Sequence, residues 1–143
     1  MLRTFAFAVA FSMGTFAFAA DDDGAEGLKS LEGSWAVVKL TENGEVKPIE
    51  NFRGLTYVFE ENRLVLRFAA KNAIKPLGKI VLDPSTKPRS IDIFGLVKTD
   101  TGIYELDGDT LKICTSKELA DGPKKFLSTQ ENKATLVELK RVK

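Results

Sequence analysis

Apolar and polar residues alternate with period two along most of this chain, in short runs separated by turn residues, and that spacing predicts strands. The clearest unit runs from Gly102 to Cys114, two alternating stretches meeting at Asp107-Gly108. With Asp107 and Gly108 as the turn, Tyr104 faces Leu111; with a four-residue loop, Asp107 to Thr110, Leu106 faces Leu111. Either even-length loop sets Tyr104, Leu106, Leu111 and Ile113 on one face, whereas a three-residue loop would part them. Burial of such side chains is worth roughly 1.5–3 kcal/mol each, yet a lone hairpin is marginal in water, so further strands must cover that face.

A second hairpin follows the same logic. Leu55, Tyr57 and Phe59 alternate with polar neighbours, Glu61-Asn62 forms the turn, and Leu64, Leu66 and Phe68 return in phase. Phe59 then faces Leu64, Tyr57 faces Leu66, Val58 faces Val65 and Glu60 faces Arg63. Upstream, Gly33 to Thr41 is apolar on both faces for most of its length and reads as a strand covered on both sides. Asn43-Gly44 is a turn, and helical turns are expected near Leu28–Leu31 and Glu50–Phe52. Ala69 to Pro76 has no clear period; Lys79–Leu82 and Ser90–Phe94 are short strands around the two-proline loop Asp83–Pro88. Thr115 to Lys133 is a long polar segment, and Thr135 to Val142 closes the chain as a strand. Eight or nine strands in sequential hairpins predict an all-β antiparallel up-and-down meander, closed as a barrel, with an open sandwich as the second choice.

The N-terminus changes the accounting. Met1-Leu2-Arg3 is followed by an apolar stretch ending in Ala17-Phe18-Ala19, the pattern of a signal peptide over residues 1–19 with cleavage before Ala20. A flexible leader over 20–30 and a barrel domain over 31–143 follow, and the protein is expected to be exported, periplasmic or extracellular, with no stable membrane span after cleavage. The whole chain carries 21 Lys+Arg against 20 Asp+Glu, and loss of Arg3 with the signal leaves the rest formally neutral, which argues against a nucleic-acid partner. One cysteine, Cys114, allows no internal disulfide and reads as a partly buried thiol.

The blocks Leu31-Glu-Gly33-Ser-Trp35, Asp83-Pro84-Ser-Thr-Lys-Pro88-Arg-Ser-Ile91-Asp92 and Gly102 to Cys114 resemble the signature of a small exported domain family abundant in planctomycete bacteria. That family has no established biochemical function, so the likeness implies a fold and an origin but no chemistry. Where its members carry Arg-Pro-x-x-Phe, this chain has Gly122-Pro123-Lys124-Lys125-Phe126. A looser similarity is to lipocalins, whose first strand carries Gly-x-Trp and whose last strand supplies an arginine that packs on the Trp ring. Gly33, Trp35 and Arg141 match those positions.

Candidate chemistry is sparse. With no His and one Cys, the usual ligands for zinc, copper or haem iron are missing, and neither a metal nor a cofactor is expected. A Ser-His-Asp or Cys-His arrangement is excluded. Asp107-Gly108-Asp109 reads as a turn, and Asp92 points into a cavity only if Ile91 and Ile93 point out. The expectation is a non-enzymatic binding module for a small apolar ligand held in the barrel by Trp35, Tyr57, Phe59, Leu66, Tyr104 and Leu111. The alternatives are a solid-core barrel contacting an envelope protein or polymer, and a carboxylate-dependent enzyme.

Overall fold

A computed structural model describes residues 25–143; the expected signal segment and the first leader residues lie outside them. Nine strands form one antiparallel sheet: β1 (Gly33–Glu42), β2 (Glu45–Val46), β3 (Leu55–Glu60), β4 (Arg63–Phe68), β5 (Ala73–Asp83), β6 (Arg89–Phe94), β7 (Thr99–Asp107), β8 (Thr110–Ser116) and β9 (Thr135–Arg141). Neighbours in sequence pair throughout, except that β1 skips the two-residue β2 to reach β3, and β1 also pairs with β9. That last pairing closes β1 and β3–β9 into an eight-stranded barrel, lipocalin-like in general shape. Closure leaves neither β1 nor β9 as a free edge.

The two hairpins show how local chemistry sets register. Between β3 and β4 the pairs are Phe59 with Leu64, Tyr57 with Leu66 and Glu60 with Arg63, as the alternation predicts. Between β7 and β8, Leu106 faces Leu111 and Asp107 faces Thr110, so Gly108-Asp109 is the turn pair rather than Asp107-Gly108. Gly108 has φ +62° while Asp109 is not in the left-handed region, the pattern of a II′ turn, which asks for glycine first. The shared face is unchanged, because both registers are even; Tyr104, Leu111 and Ile113 are buried and Leu106 packs against them.

Two bulges explain where the sequence pattern misleads. Val37 pairs with Leu139 and Lys39 with Glu138, which leaves Val38 as the extra residue of β1, 51% exposed. The apolar run in β1 is therefore a one-sided strand with a phase change, not a strand covered on both sides. In β5, Leu64 of β4 pairs with Gly78 and Val65 with Pro76, so Leu77 is the bulged residue, and it packs on the core. The bulge hides the period of residues 73–78, which extend β5 well beyond the expected Lys79–Leu82.

Inside the barrel, Trp35, Leu64, Ile91, Leu111 and Leu139 are fully buried, with Leu31 and Phe59 nearly so. Phe52, which follows the 3-10 turn Ile49–Asn51, joins this core from a segment with no strand period. A short helix, α1 (residues 25–31), covers one end and includes residues 25–30 of the stretch expected as leader. A Cβ built on Gly27 would stand 3.1 Å from Leu82 Cδ1 and 3.6 Å from Tyr104 Oη, which places α1 against the barrel floor. The Trp35 indole N–H donates to the Leu31 carbonyl at 2.8 Å, and the Arg141 guanidinium lies 4.2 Å from the Trp35 ring centroid. The same guanidinium donates to the carbonyls of Ser30 and Glu32 at 2.8 and 3.1 Å. Gly33, at φ +117°, lets the chain turn from α1 into β1 beside this group.

The long segment between β8 and β9 is a strap over the outer face of β7–β9. Ile103, Cys114 and Ala134 form a second small core there, with Phe126 and Leu136 against it. Hydrogen bonds pin the strap: Asn132 Oδ1 accepts from the backbone N–H groups of Thr129 and Ala134, both at 2.9 Å, and Ser128 Oγ donates to Ala134 O at 2.7 Å. Gly122 (φ +71°) lies on β7 so closely that a Cβ would come within 2.4 Å of Thr101 O, so no larger residue fits at this position without a shift of the strap.

Candidate functional site

The end opposite α1 is where the barrel opens. Along β8 the inward positions run Leu111, Ile113, Thr115, and along β9 they run Leu139, Val137, Thr135, so each wall passes from aliphatic to hydroxyl as it reaches the mouth. On β7 the inward series Tyr104, Gly102 ends at Asp100. On β1 the bulge at Val38 reverses the alternation beyond it, which turns Leu40 and then Glu42 inward. Without that extra residue Glu42 would face solvent on the outside.

A pocket of about 200 Å³ results. Its floor is Leu77, Ile93, Ile113 and Val137; Tyr57, Thr115 and Thr135 stand around it, and Glu42, Asp100 and Lys117 carry the charge. Lys117 Nζ is 3.0 Å from Asp100 Oδ2, whose side chain is 19% exposed, while Glu42 makes no ion pair among the described residues. Two carboxylates against one ammonium leave the mouth negative. The Tyr57 hydroxyl registers this: burial, then the charges of Asp100 and Glu42, push its ionisation well above the ordinary phenol range. Tyr57 therefore stays a neutral donor. The volume suits one ring or a short branched chain, since drug-sized ligands occupy roughly 300–1,000 Å³.

The sequence-predicted lining residues separate cleanly. Tyr57 alone among them lines the mouth pocket. Trp35, Phe59 and Leu111 are 0–2% exposed and pack solidly against other side chains, so they fill the barrel instead of lining a hollow. Tyr104 is buried at the α1 end, where burial raises its hydroxyl and nearby Arg89 partly offsets the effect. Leu66 is only partly buried and stands outside the core cluster, paired with Lys75 beyond the β5 bulge. Asp92 lies on the outer face, because Ile91 and Ile93 are both buried in the core; the cavity orientation is overturned.

Asp107, Gly108 and Arg141 belong to the α1 end. There the Arg141 N–H donates to Asp109 O at 2.8 Å, and the Asp109 carboxylate meets Lys143 Nζ at 2.8 Å and Arg141 Nε at 3.6 Å. Cys114 is buried under the strap, its thiol donating to Leu127 O at 3.6 Å, and burial pushes its pKa up. No group of three or more His, Cys, Asp or Glu able to hold a metal ion occurs among the described residues. A wider, open depression of about 510 Å³ lies between the Asp83–Pro88 loop and Phe126, with the predicted residue Tyr104 and its neighbours Glu105 and Leu106 in its wall.

No family model matches the chain, and no curated protein or solved structure matches it either. The sequence reading missed Glu42, Asp100, Thr115 and Thr135. The threonines were within reach, being in phase with Leu111–Ile113 and with Val137–Leu139; Glu42 was not, because a bulge decides its direction.

Proposed function

We propose that the protein is an exported, non-enzymatic binding module whose mouth pocket takes a small, mainly apolar ligand bearing a cationic or hydrogen-donating head. The observation that carries this reading is the convergence of Glu42, Asp100 and the Tyr57 hydroxyl above an aliphatic floor. A concave, mainly apolar site with a few converging polar groups is the usual form of a small-molecule site. The head group would sit among the carboxylates and threonines while the body displaces water from Ile93, Ile113 and Val137. The solid-core alternative draws support from the burial of Trp35, Phe59 and Leu111, which fill the barrel interior with side chains.

Calorimetric titration with phenethylamine, its neutral ether analogue and phenylpropionate tests the reading. Tightest binding of the amine, weakest of the carboxylate, and loss of both with Thr135→Phe are expected. Absence of binding by all three probes, or equal binding in the Thr135→Phe variant, would leave the solid-core reading standing.

A further inference from the structure

The two sides of the barrel are finished differently. Outward apolar residues of β7–β9 lie under the strap, with Ile103 3% and Cys114 0% exposed. Those of β4–β6 have no cover: Ile74 is 64%, Phe94 45% and Val81 43% exposed, and at the β6–β7 turn Leu96 and Val97 stand at 105% and 92%. The mouth half of the bare side is also basic, and its acids, Asp92 opposite Val81 and Asp83 opposite Ser90, lie toward α1. From Asn62 to Leu82 the chain contains Arg63, Arg67, Lys71, Lys75 and Lys79 and no acid, and none of these cations makes an ion pair among the described residues. Register puts three of them on the outer face with the apolar groups: Arg63 pairs with Lys79 and Lys79 with Phe94 in one row, and Arg67 pairs with Ile74 in another, while Lys71 lies in the 3-10 turn Ala69–Lys71 and Lys75 pairs with Leu66.

We infer that the outer face of β4–β6, with the Leu96-Val97 tip, docks onto an anionic lipid surface. The complementarity is double. Unpaired Lys and Arg suit a layer of negative headgroups, and aliphatic tips suit the acyl boundary just beneath it. A soluble polyanion would reward the charges but give Ile74, Leu96 and Val97 nothing to bury against. The chain as a whole is nearly neutral, so attraction comes from the segregation of charge onto one side and not from net charge. Docking of this kind needs no membrane-crossing helix, and none of the described helices is long and apolar enough to cross. The face borders the mouth but shares no residue with it, so this inference stands apart from the pocket reading.

The test is sedimentation of the purified chain with phosphatidylcholine vesicles, with and without phosphatidylglycerol, at low and high salt. Binding should need the anionic lipid and weaken with salt. Neutralising the three outward cations in Arg63→Gln/Arg67→Gln/Lys79→Gln should lower partitioning about 100-fold, from about 1 kcal/mol per basic residue. The charge-matched control Lys124→Gln/Lys125→Gln/Lys140→Gln should bind like the parent. Leu96→Ser/Val97→Ser should weaken binding while leaving the salt dependence unchanged. All of these side chains are exposed, and circular dichroism of each variant confirms the fold. Every variant keeps the same N-terminus, so differences between them belong to the face. Equal binding to neutral vesicles, or an equal loss in the control, would overturn the inference. So would heparin competition combined with indifference to Leu96→Ser/Val97→Ser, which assigns the face to a soluble polyanion.

Discussion

Removing the guanidinium of Arg141 should loosen the α1 end of the barrel more than any other exposed-side-chain change. The group stacks 4.2 Å from the Trp35 ring centroid and is 28% exposed, a setting in which a cation–π contact is worth about 0.5–2 kcal/mol. Its two hydrogen bonds to the carbonyls of Ser30 and Glu32 add about 1 kcal/mol each. A cation at the C-terminal end of α1 contributes about 0.3–1 kcal/mol more. The ion pair with Asp109, at 3.6 Å and in contact with solvent, adds little. Arg141→Ala should therefore cost about 3 kcal/mol, equivalent to a fall of about 10 °C in Tm for a domain of this size.

Urea denaturation followed by far-ultraviolet circular dichroism is the assay, since Trp35 is the sole tryptophan and fluorescence is lost in its variants. Trp35→Phe loses the indole donor to Leu31 O as well as part of the stack. A double-mutant cycle over Trp35→Phe and Arg141→Ala should return a coupling of about 1 kcal/mol. Arg141→Lys should recover less than half of the loss, because an ammonium cannot fork to two carbonyls while stacking. Strict additivity in the cycle, or full recovery by lysine, would refute the reasoning.

Two further outcomes follow from the strap and from the β7–β8 turn. Gly122→Ala forces a Cβ against Thr101 O and should lift the strap, raising the rate at which Cys114 reacts with a maleimide by at least about ten-fold through the lower opening free energy; unchanged protection would mean that Cys114 is shielded by the barrel wall alone. Asp109 is held below the ordinary carboxylate range by its hydrogen bond to Lys143, then by the charges of Lys143, Arg141 and Lys140. Its folded pKa lies below the unfolded one, so its contribution is complete above the unfolded carboxylate pKa and disappears as pH falls through the folded value. Lys143→Gln should lower stability slightly at neutral pH, with the difference from the parent vanishing as pH falls through the folded Asp109 value, so that part of the acid limb flattens; an unaltered acid limb would remove Asp109 from the linkage.

The hairpins were legible because each is settled by a few adjacent residues. Glu61-Asn62 fixes the pairing of Phe59 with Leu64, and any even loop at residues 107–110 keeps Tyr104 beside Leu111 and Ile113. The packed core could be read for the same reason, one alternating run at a time. Whether that core is hollow could not. Trp35 and Phe59 look equally suited to line a cavity or to fill one, and the difference rests on how closely opposite walls approach. The mouth was hidden more deeply: Val38 gives no local sign that it is the extra residue, yet it alone turns Glu42 toward Tyr57.

Period-two patterning and turn chemistry thus determined an antiparallel meander, its two main hairpins and which side chains go inside, since these depend on neighbours within a few residues. Only the tertiary structure decided the rest. Closure by β1 against β9, the bulges at Val38 and Leu77, the strap over Cys114 and the bare basic face of β4–β6 all depend on strands meeting across long sequence separations. Register between distant strands is set by the whole barrel at once, and no local window of residues contains it.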